Sequence, residues 1–201
     1  GIGGQYSGKC PQYFARIAFA GKPDGLEIKP VEIPGMSEED KEFKLMELID
    51  MSDEAVVKTF EAENAGVDFV TEGEESFMRI TSFAVDDQIP YVFSTKYPKR
   101  ILGGSGDYVV VKYRTSYTEA EELGLVFRTV NTPEYNVDNC YYEVIGGDGE
   151  WHTAIFYMMD DPSWNHFIMN IGLIPFVYAE NSAQQTLDVA WMKFYNNDPY
   201  D

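Results

Sequence analysis

Tyr108-Val109-Val110-Val111-Lys112-Tyr113-Arg114-Thr115 is the strongest strand-forming stretch of the chain. Six of its eight residues are β-branched or aromatic, types that suit a pleated, half-buried surface. The turn Gly103-Gly104-Ser105-Gly106-Asp107 precedes it. Outward from this stretch the same punctuation repeats. Strands are predicted over Phe77–Thr81, Tyr91–Thr95, Leu123–Val130, Cys140–Ile145, Thr153–Met159, Phe167–Leu173 and Leu187–Tyr195. Gly146-Gly147-Asp148-Gly149 reads as a tight hairpin-type connection. Many short strands with regular turns point to a mostly β, jelly-roll-like antiparallel β-sandwich and away from alternating βαβ units.

Residues 57–201 are therefore read as a β-sandwich binding module. Residues 1–56 are read as a segment of strands plus one helix, either extra strands of the sandwich or the end of an upstream repeat. Phe14–Phe19 and Leu26–Ile33 are strand candidates, the second demoted to an edge by Pro30. Ser37-Glu38-Glu39-Asp40 carries a capping signature, and the apolar stripe Phe43, Leu45, Met46, Leu48 and Ile49 predicts a helix over about 38–50. Ser52-Asp53-Glu54 offers a second, shorter helical start.

The chain has 201 residues, 44% of them apolar and 15% aromatic, enough for a sizeable core. Its net charge of −19 repels phosphate backbones and anionic lipid, which excludes nucleic acid and anionic membrane surfaces as partners. The surplus carboxylates keep the protein soluble, bind divalent cations or attract a cationic partner. No apolar run approaches the ~20 residues that span a bilayer, so no membrane insertion is expected. Gly1-Ile2-Gly3-Gly4 lacks the basic start and apolar stretch of a secretory leader. Cys10 and Cys140 are the only cysteines and are equally compatible with one disulfide or two thiols.

Tyr108–Thr115, Asp148-Gly149-Glu150-Trp151-His152-Thr153-Ala154 and Leu187-Asp188-Val189-Ala190-Trp191-Met192-Lys193-Phe194 together resemble a jelly-roll module of secreted Firmicutes surface and glycan-active proteins. That module is similar to carbohydrate-binding modules. The resemblance covers residues 57–196 and implies a β-sandwich, an extracellular or cell-surface location and no catalysis. A second likeness is to calcium-containing carbohydrate-binding modules that open on Glu-Ala-Glu. Phe60-Glu61-Ala62-Glu63-Asn64-Ala65 matches that opening, and Thr186-Leu187-Asp188 matches a C-terminal segment. It implies a structural calcium ion held by Glu61, Glu63 and Asp188, provided that the first and last strands lie side by side. The alternative is solvated carboxylates.

Sugars stack their C–H faces on aromatic rings while acids and amides bond the hydroxyls. Asp160-Asp161-Pro162-Ser163-Trp164-Asn165-His166 and Thr132-Pro133-Glu134-Tyr135-Asn136-Val137-Asp138 are loops of that composition. Trp164, Tyr135, Tyr117, Asn165 and His166 are the ligand contacts this reading selects. The bland alternative has Trp164 folding back to cap an open end of the sandwich. Trp151 and Trp191 lie inside strand patterns and are expected to pack in the core.

No catalytic residue is assigned. His152 and His166 lack metal-ligand spacing, and Gly104-Ser105-Gly106 is shorter than a nucleophile elbow. The acid pairs Asp86-Asp87, Glu121-Glu122 and Asp160-Asp161 are adjacent residues, which usually point apart rather than across a cleft. Lys96, Lys99 and Arg100 read as a solvated loop. The expectation is a non-catalytic extracellular binding module with a glycan or surface polysaccharide as partner, beside other domains of a larger surface protein. The alternatives are a structural or adhesive spacer that makes protein contacts and, last, a glycoside hydrolase.

Overall fold

A computed structural model describes residues 35–83, 89–94, 101–102, 107–119, 121–129, 131–134, 140–164, 167–177 and 184–199. The expected strands at Phe14–Phe19 and Leu26–Ile33 lie outside these residues, as do Cys10, Asp86, Asp87, Lys96, Lys99 and Arg100.

The described residues form twelve strands and two short helices: α1 (Glu38–Glu42), β1 (Leu45–Asp50), α2 (Glu54–Val57), β2 (Phe60–Glu63), β3 (Ala65–Glu72), β4 (Glu75–Ser82), β5 (Tyr91–Ser94), β6 (Ile101–Leu102), β7 (Tyr108–Thr115), β8 (Glu121–Thr129), β9 (Cys140–Ile145), β10 (His152–Tyr157), β11 (Phe167–Ile174) and β12 (Thr186–Tyr195). They form two antiparallel sheets. Sheet A runs β10-β7-β12-β4-β3, with β1 paired to β12, and sheet B runs β2-β5-β11-β8-β9, with β6 paired to β11. The fold is the antiparallel β-sandwich expected from the strand pattern.

Alternation decides which side of each strand enters the core. Leu123, Leu125 and Phe127 of β8, Ile171 and Leu173 of β11, and Val92 of β5 point inward from sheet B. They meet Val109, Val111, Met78, Ile80, Leu187, Met192 and Phe194 of sheet A. β7 reads as almost continuously apolar because its second face is covered too. Tyr108 and Val110 join Leu45, Ile155 and Tyr195 in a smaller cluster, against which Met36, Phe43 and Trp191 pack.

The cover is the segment around α1. Ser37 caps it through a capping box with Asp40. The buried Asp40 carboxylate then accepts bonds from Lys193 Nζ at 2.8 Å and Tyr195 Oη at 2.6 Å. The predicted helix over 38–50 is corrected here. α1 ends at Glu42, Lys44 adopts a left-handed φ of 53°, and Leu45–Asp50 becomes a strand on β12. The stripe from Phe43 to Ile49 fits either period, and the open side of β12 beyond β4 supplied ladder partners that a helix would have left unpaired. α2 does form where Asp53 caps it. A second correction concerns Gly146–Gly149. β9 belongs to sheet B and β10 to sheet A, so this segment crosses between layers instead of closing a hairpin. Gly147 is needed there, since a Cβ would stand 2.0 Å from the Tyr117 carbonyl oxygen.

Candidate functional site

The outer face of sheet B is assembled by the same alternation that builds the core. Residues between the inward ones must face out, which places Glu122, Gly124, Val126 and Arg128 of β8 there. Asn170, Gly172 and Ile174 come from β11, Tyr91 and Phe93 from β5, Cys140, Tyr142 and Val144 from β9, and Glu61 and Glu63 from β2.

Register sorts these side chains into rows across the strands. One row runs Glu61, Phe93, Gly172, Val126, Cys140. In the next, Glu63 faces Tyr91 at one end, and Ile174, Gly124 and Tyr142 follow at the other. Arg128 and Asn170 pair in a third. Five strands at their usual spacing make each full row about 19 Å long.

The rows are low in the middle because glycines stand there. A Cβ on Gly172 would come within 2.6 Å of the Val92 carbonyl oxygen. A Cβ on Gly124 would meet Ile174 at 3.0 Å and the Tyr142 ring at 3.1 Å. Tyr142 therefore lies down across Gly124 with 42% of its surface exposed. Burial, a bond to Cys140 and the nearby Glu122 charge push its hydroxyl up to about 12, so it stays a neutral donor. At the opposite end the Tyr91 and Phe93 rings stand 4.9 Å apart, tilted by 34°. Arg128 is fixed in the third row, donating to Asn170 Oδ1 at 2.7 Å and to the Pro133 carbonyl at 3.3 Å. Asn170 donates in turn to the Ser94 carbonyl. Aromatic surface at both ends, carboxylates at Glu61, Glu63 and Glu122, and a fixed amide–guanidinium pair are the parts a sugar chain needs.

The side chains selected from sequence fall elsewhere. Trp164 is 2% exposed, stacked on Phe194 and edge-on to Phe127 at 5.0 Å. It is a core residue, not a ligand contact, because the loop from Asp160 turns it inward. Tyr117 is buried as well, against Phe176, with its hydroxyl directed to Glu119. Tyr135, Asn165 and His166 lie outside the described residues. Trp191 packs on the smaller core cluster as expected, though neither it nor Trp151 enters the core between the sheets. Both sit half-buried on the outer face of sheet A, Trp151 under Arg114 at 4.7 Å and Trp191 under Lys193 at 4.4 Å.

Glu61, Glu63 and Asp188 do not come together. β2 pairs with β5 in sheet B, whereas β12 is central to sheet A, so the whole sandwich separates the two glutamates from the aspartate. Asp188 instead receives Arg79 at 2.7 and 3.0 Å and Arg114 at 2.8 and 3.1 Å. Among the described residues no group of three or more His, Cys, Asp or Glu side chains is placed to hold a metal ion. Glu121 and Glu122 point apart as expected, Glu121 inward and 2% exposed. Asp161 accepts the Tyr141 hydroxyl.

Sequence reasoning passed over Tyr91, Phe93 and Tyr142. The available signals were the mid-strand glycines Gly124 and Gly172, which mark close approach to a strand face. The alternation Leu123, Leu125, Phe127 also tells which face of β8 is left outside.

No family model matches the chain, and no curated protein matches it. Solved structures do. The family 11 carbohydrate-binding module of the cellulosomal cellulase Lic26A-Cel5E of Clostridium thermocellum superposes with a TM-score of 0.52 at 10% identity, over 76% of this chain and 95% of that module. A family 11 module of the same organism in complex with a β-1,3-1,4-mixed-linked tetrasaccharide gives 0.50 at 10% identity, over 75% and 97%. An exo-β-agarase gives 0.56 at 9% identity over 76% of this chain, which spans only 25% of that enzyme's length. An α-L-arabinofuranosidase gives 0.52 at 10% identity, with 27% of its length spanned. At these identities the likeness is one of fold: the chain has the β-sandwich architecture of carbohydrate-binding modules.

Proposed function

We propose that this protein is a non-catalytic carbohydrate-binding module that holds a glycan chain across the outer face of sheet B. The observation that carries the reading is the placement of Tyr91, Phe93 and Tyr142 at the two ends of a glycine-floored face. Stacking on these rings supplies affinity, and Glu61, Glu63, Glu122, Arg128 and Asn170 supply hydroxyl partners. The solved modules that this chain covers almost end to end, and the sugar bound to one of them, support the reading. An extracellular or cell-surface setting beside other domains belongs to the same proposal.

Affinity electrophoresis in gels containing neutral polysaccharides tests it. Retardation by at least one polymer, lost in Tyr142→Ala and in Tyr91→Ala/Phe93→Ala, is the expected result. Unretarded migration in every gel, or retention indifferent to these substitutions, overturns it.

One observation favours a second reading, contact with another protein domain. Val144 is 72% exposed on the same face as Tyr142. Unretarded migration in every polysaccharide gel, together with concentration-dependent self-association or capture of a neighbouring domain that Val144→Ser abolishes, marks that reading as the correct one.

A further inference from the structure

Carboxylates outnumber basic side chains 34 to 15 in this chain, so a half-buried lysine without one is the exception to explain. Lys41, Lys58, Lys193, Arg79 and Arg114 each hold a carboxylate. Lys112 does not. It stands half-buried on β7, in the interior of sheet A. Among the described residues its ammonium group meets only the Trp151 ring, 5.8 Å from the ring centre.

Register gives Lys112 neighbours of one kind. Thr153 of β10 and Trp191 of β12 lie directly opposite it on either side, so the three side chains share one row of the outer face. Neighbours in such a row stand about 5 Å apart at Cβ. The Thr153 hydroxyl and the Trp191 indole N–H meet no acceptor among the described residues, and neither is sealed from solvent. Arg114, two residues along β7, spends Nε and Nη2 on Asp188 and Glu72 and keeps Nη1 unbonded among the described residues. Two carboxylates border the row, and each already accepts a bond: Asp50 from the Ser52 amide at 2.9 Å and Glu75 from the Trp151 indole at 3.3 Å. The row therefore offers donors and one positive charge, flanked by two half-buried indoles.

Donors without acceptors suit a carboxylate, whose two oxygens accept from several N–H and O–H groups at once. One uncompensated cation matches one negative charge. A polyanion is unsuited, because the net charge of −19 repels it as a whole. Salt screens a single anion at Lys112 from carboxylates more than about 8 Å away. Indole rings beside the cation receive the C–H face of a sugar.

We infer that the outer face of sheet A binds an isolated uronate unit of an otherwise neutral glycan, at a site separate from the sheet B platform. Lys112, Trp191 and Thr153 bond the carboxylate, Arg114 Nη1 takes a neighbouring hydroxyl, and the sugar ring rests against Trp151 and Trp191. The two sites belong to different sheets and face opposite sides of the sandwich, so occupancy of one is read separately from occupancy of the other.

The test is an amide-resolved NMR titration of the whole chain with two singly charged oligosaccharides, glucuronosyl-xylotriose and galacturonosyl-rhamnose, and with the carboxyl-reduced form of each. The expected result is saturable shifts at residues 111–114, 151–154 and 190–192 with at least one of the acids. Its reduced form should bind about tenfold more weakly, as for loss of a charged hydrogen bond. Affinity for the acid should fall by a similar factor in Lys112→Gln and survive in Lys112→Arg, which keeps the charge. Unaltered thermal midpoints of both variants show that they fold. Binding of the reduced form equal to that of its acid, shifts confined to the sheet B face, affinity unmoved by Lys112→Gln, or no saturable shift with either acid overturns the inference.

Discussion

The Tyr142 ring lies directly over Gly124 on the neighbouring strand, so that a β-carbon added to the glycine would approach ring atom Cε1 to 3.1 Å. The ring rests on backbone and turns its other side outward. Gly124→Ala should lift and tilt it. The Tyr142 ring and Ile174 Cδ1 can move aside, whereas Ile174 Cβ at 3.0 Å is tied to its backbone, so the stability cost should be about 1–3 kcal/mol. Polysaccharide retention should fall much further. Gel mobility and a urea melt on the same sample check both halves, and retention equal to wild type would show that the ring's posture does not matter.

Asp188 lies between two guanidinium groups, with Glu72 bridging their outer edges at 3.0 and 2.9 Å. Phe77, wholly buried, lies beneath Arg79 and Arg114 at 5.4 and 5.0 Å. Asp188→Ala leaves two cations facing each other, and breaking such a network costs about 3 kcal/mol or more. For a chain of this size that corresponds to roughly 6–12 °C in thermal midpoint. Added calcium should leave the wild-type midpoint where it is, because arginines surround the Asp188 carboxylate. Calorimetry of the wild-type protein with and without calcium gives the answer, and stabilisation that is present in wild type and lost in Asp188→Ala would contradict the arginine assignment.

The Asp40 latch should respond to acid. Burial pushes this carboxyl up, but bonds from Lys193, Tyr195 and the Ser37 amide outweigh burial and hold it below its usual value. A carboxyl lowered by folding stabilises the fold above its free value near pH 4, and the contribution fades as the pH drops through the lowered one. Asp40→Asn should therefore be less stable than wild type at neutral pH by about 2–3 kcal/mol, with the gap closing as the pH falls below the free carboxyl value. Denaturation curves across that range read the difference, and a gap that stays constant would remove the ionised carboxylate from the explanation.

Trp164 fills the core between Phe127 and Phe194. Trp164→Ala should cost about 3–5 kcal/mol, as for other large-to-small changes in packed interiors. Glycan retention at a temperature where the variant remains folded should match wild type. Lost binding with an unchanged melting curve would restore this residue to the ligand contacts.

These cases show what was legible before the fold was known. β7 and β9 have the limits read from sequence, because turn residues bracket both and their side chains suit a sheet. The cap at Ser37 was equally plain, being local chemistry. Where α1 stops was not legible, since that is decided by a free stretch of β12 about 145 residues further along the chain. Trp164 and Tyr142 were misjudged for one reason. A loop tryptophan looks available and a strand tyrosine looks committed, yet direction depends on which layer a strand joins. Gly146–Gly149 carries the chain from one layer to the other, and composition alone does not record that crossing.

β12 bonds to β7, β4 and β1 at once. The middle plank of sheet A is thus made after every other described strand, and β1 and β4 wait for it through more than a hundred residues of synthesis, β7 through about seventy. Until Leu187–Tyr195 emerges, β4 and β7 have a vacant space between them and their ladder groups unmet, a condition that invites pairing with neighbouring nascent chains. Chaperone demand during translation, and intolerance of C-terminal truncation into this strand, follow from where that plank sits.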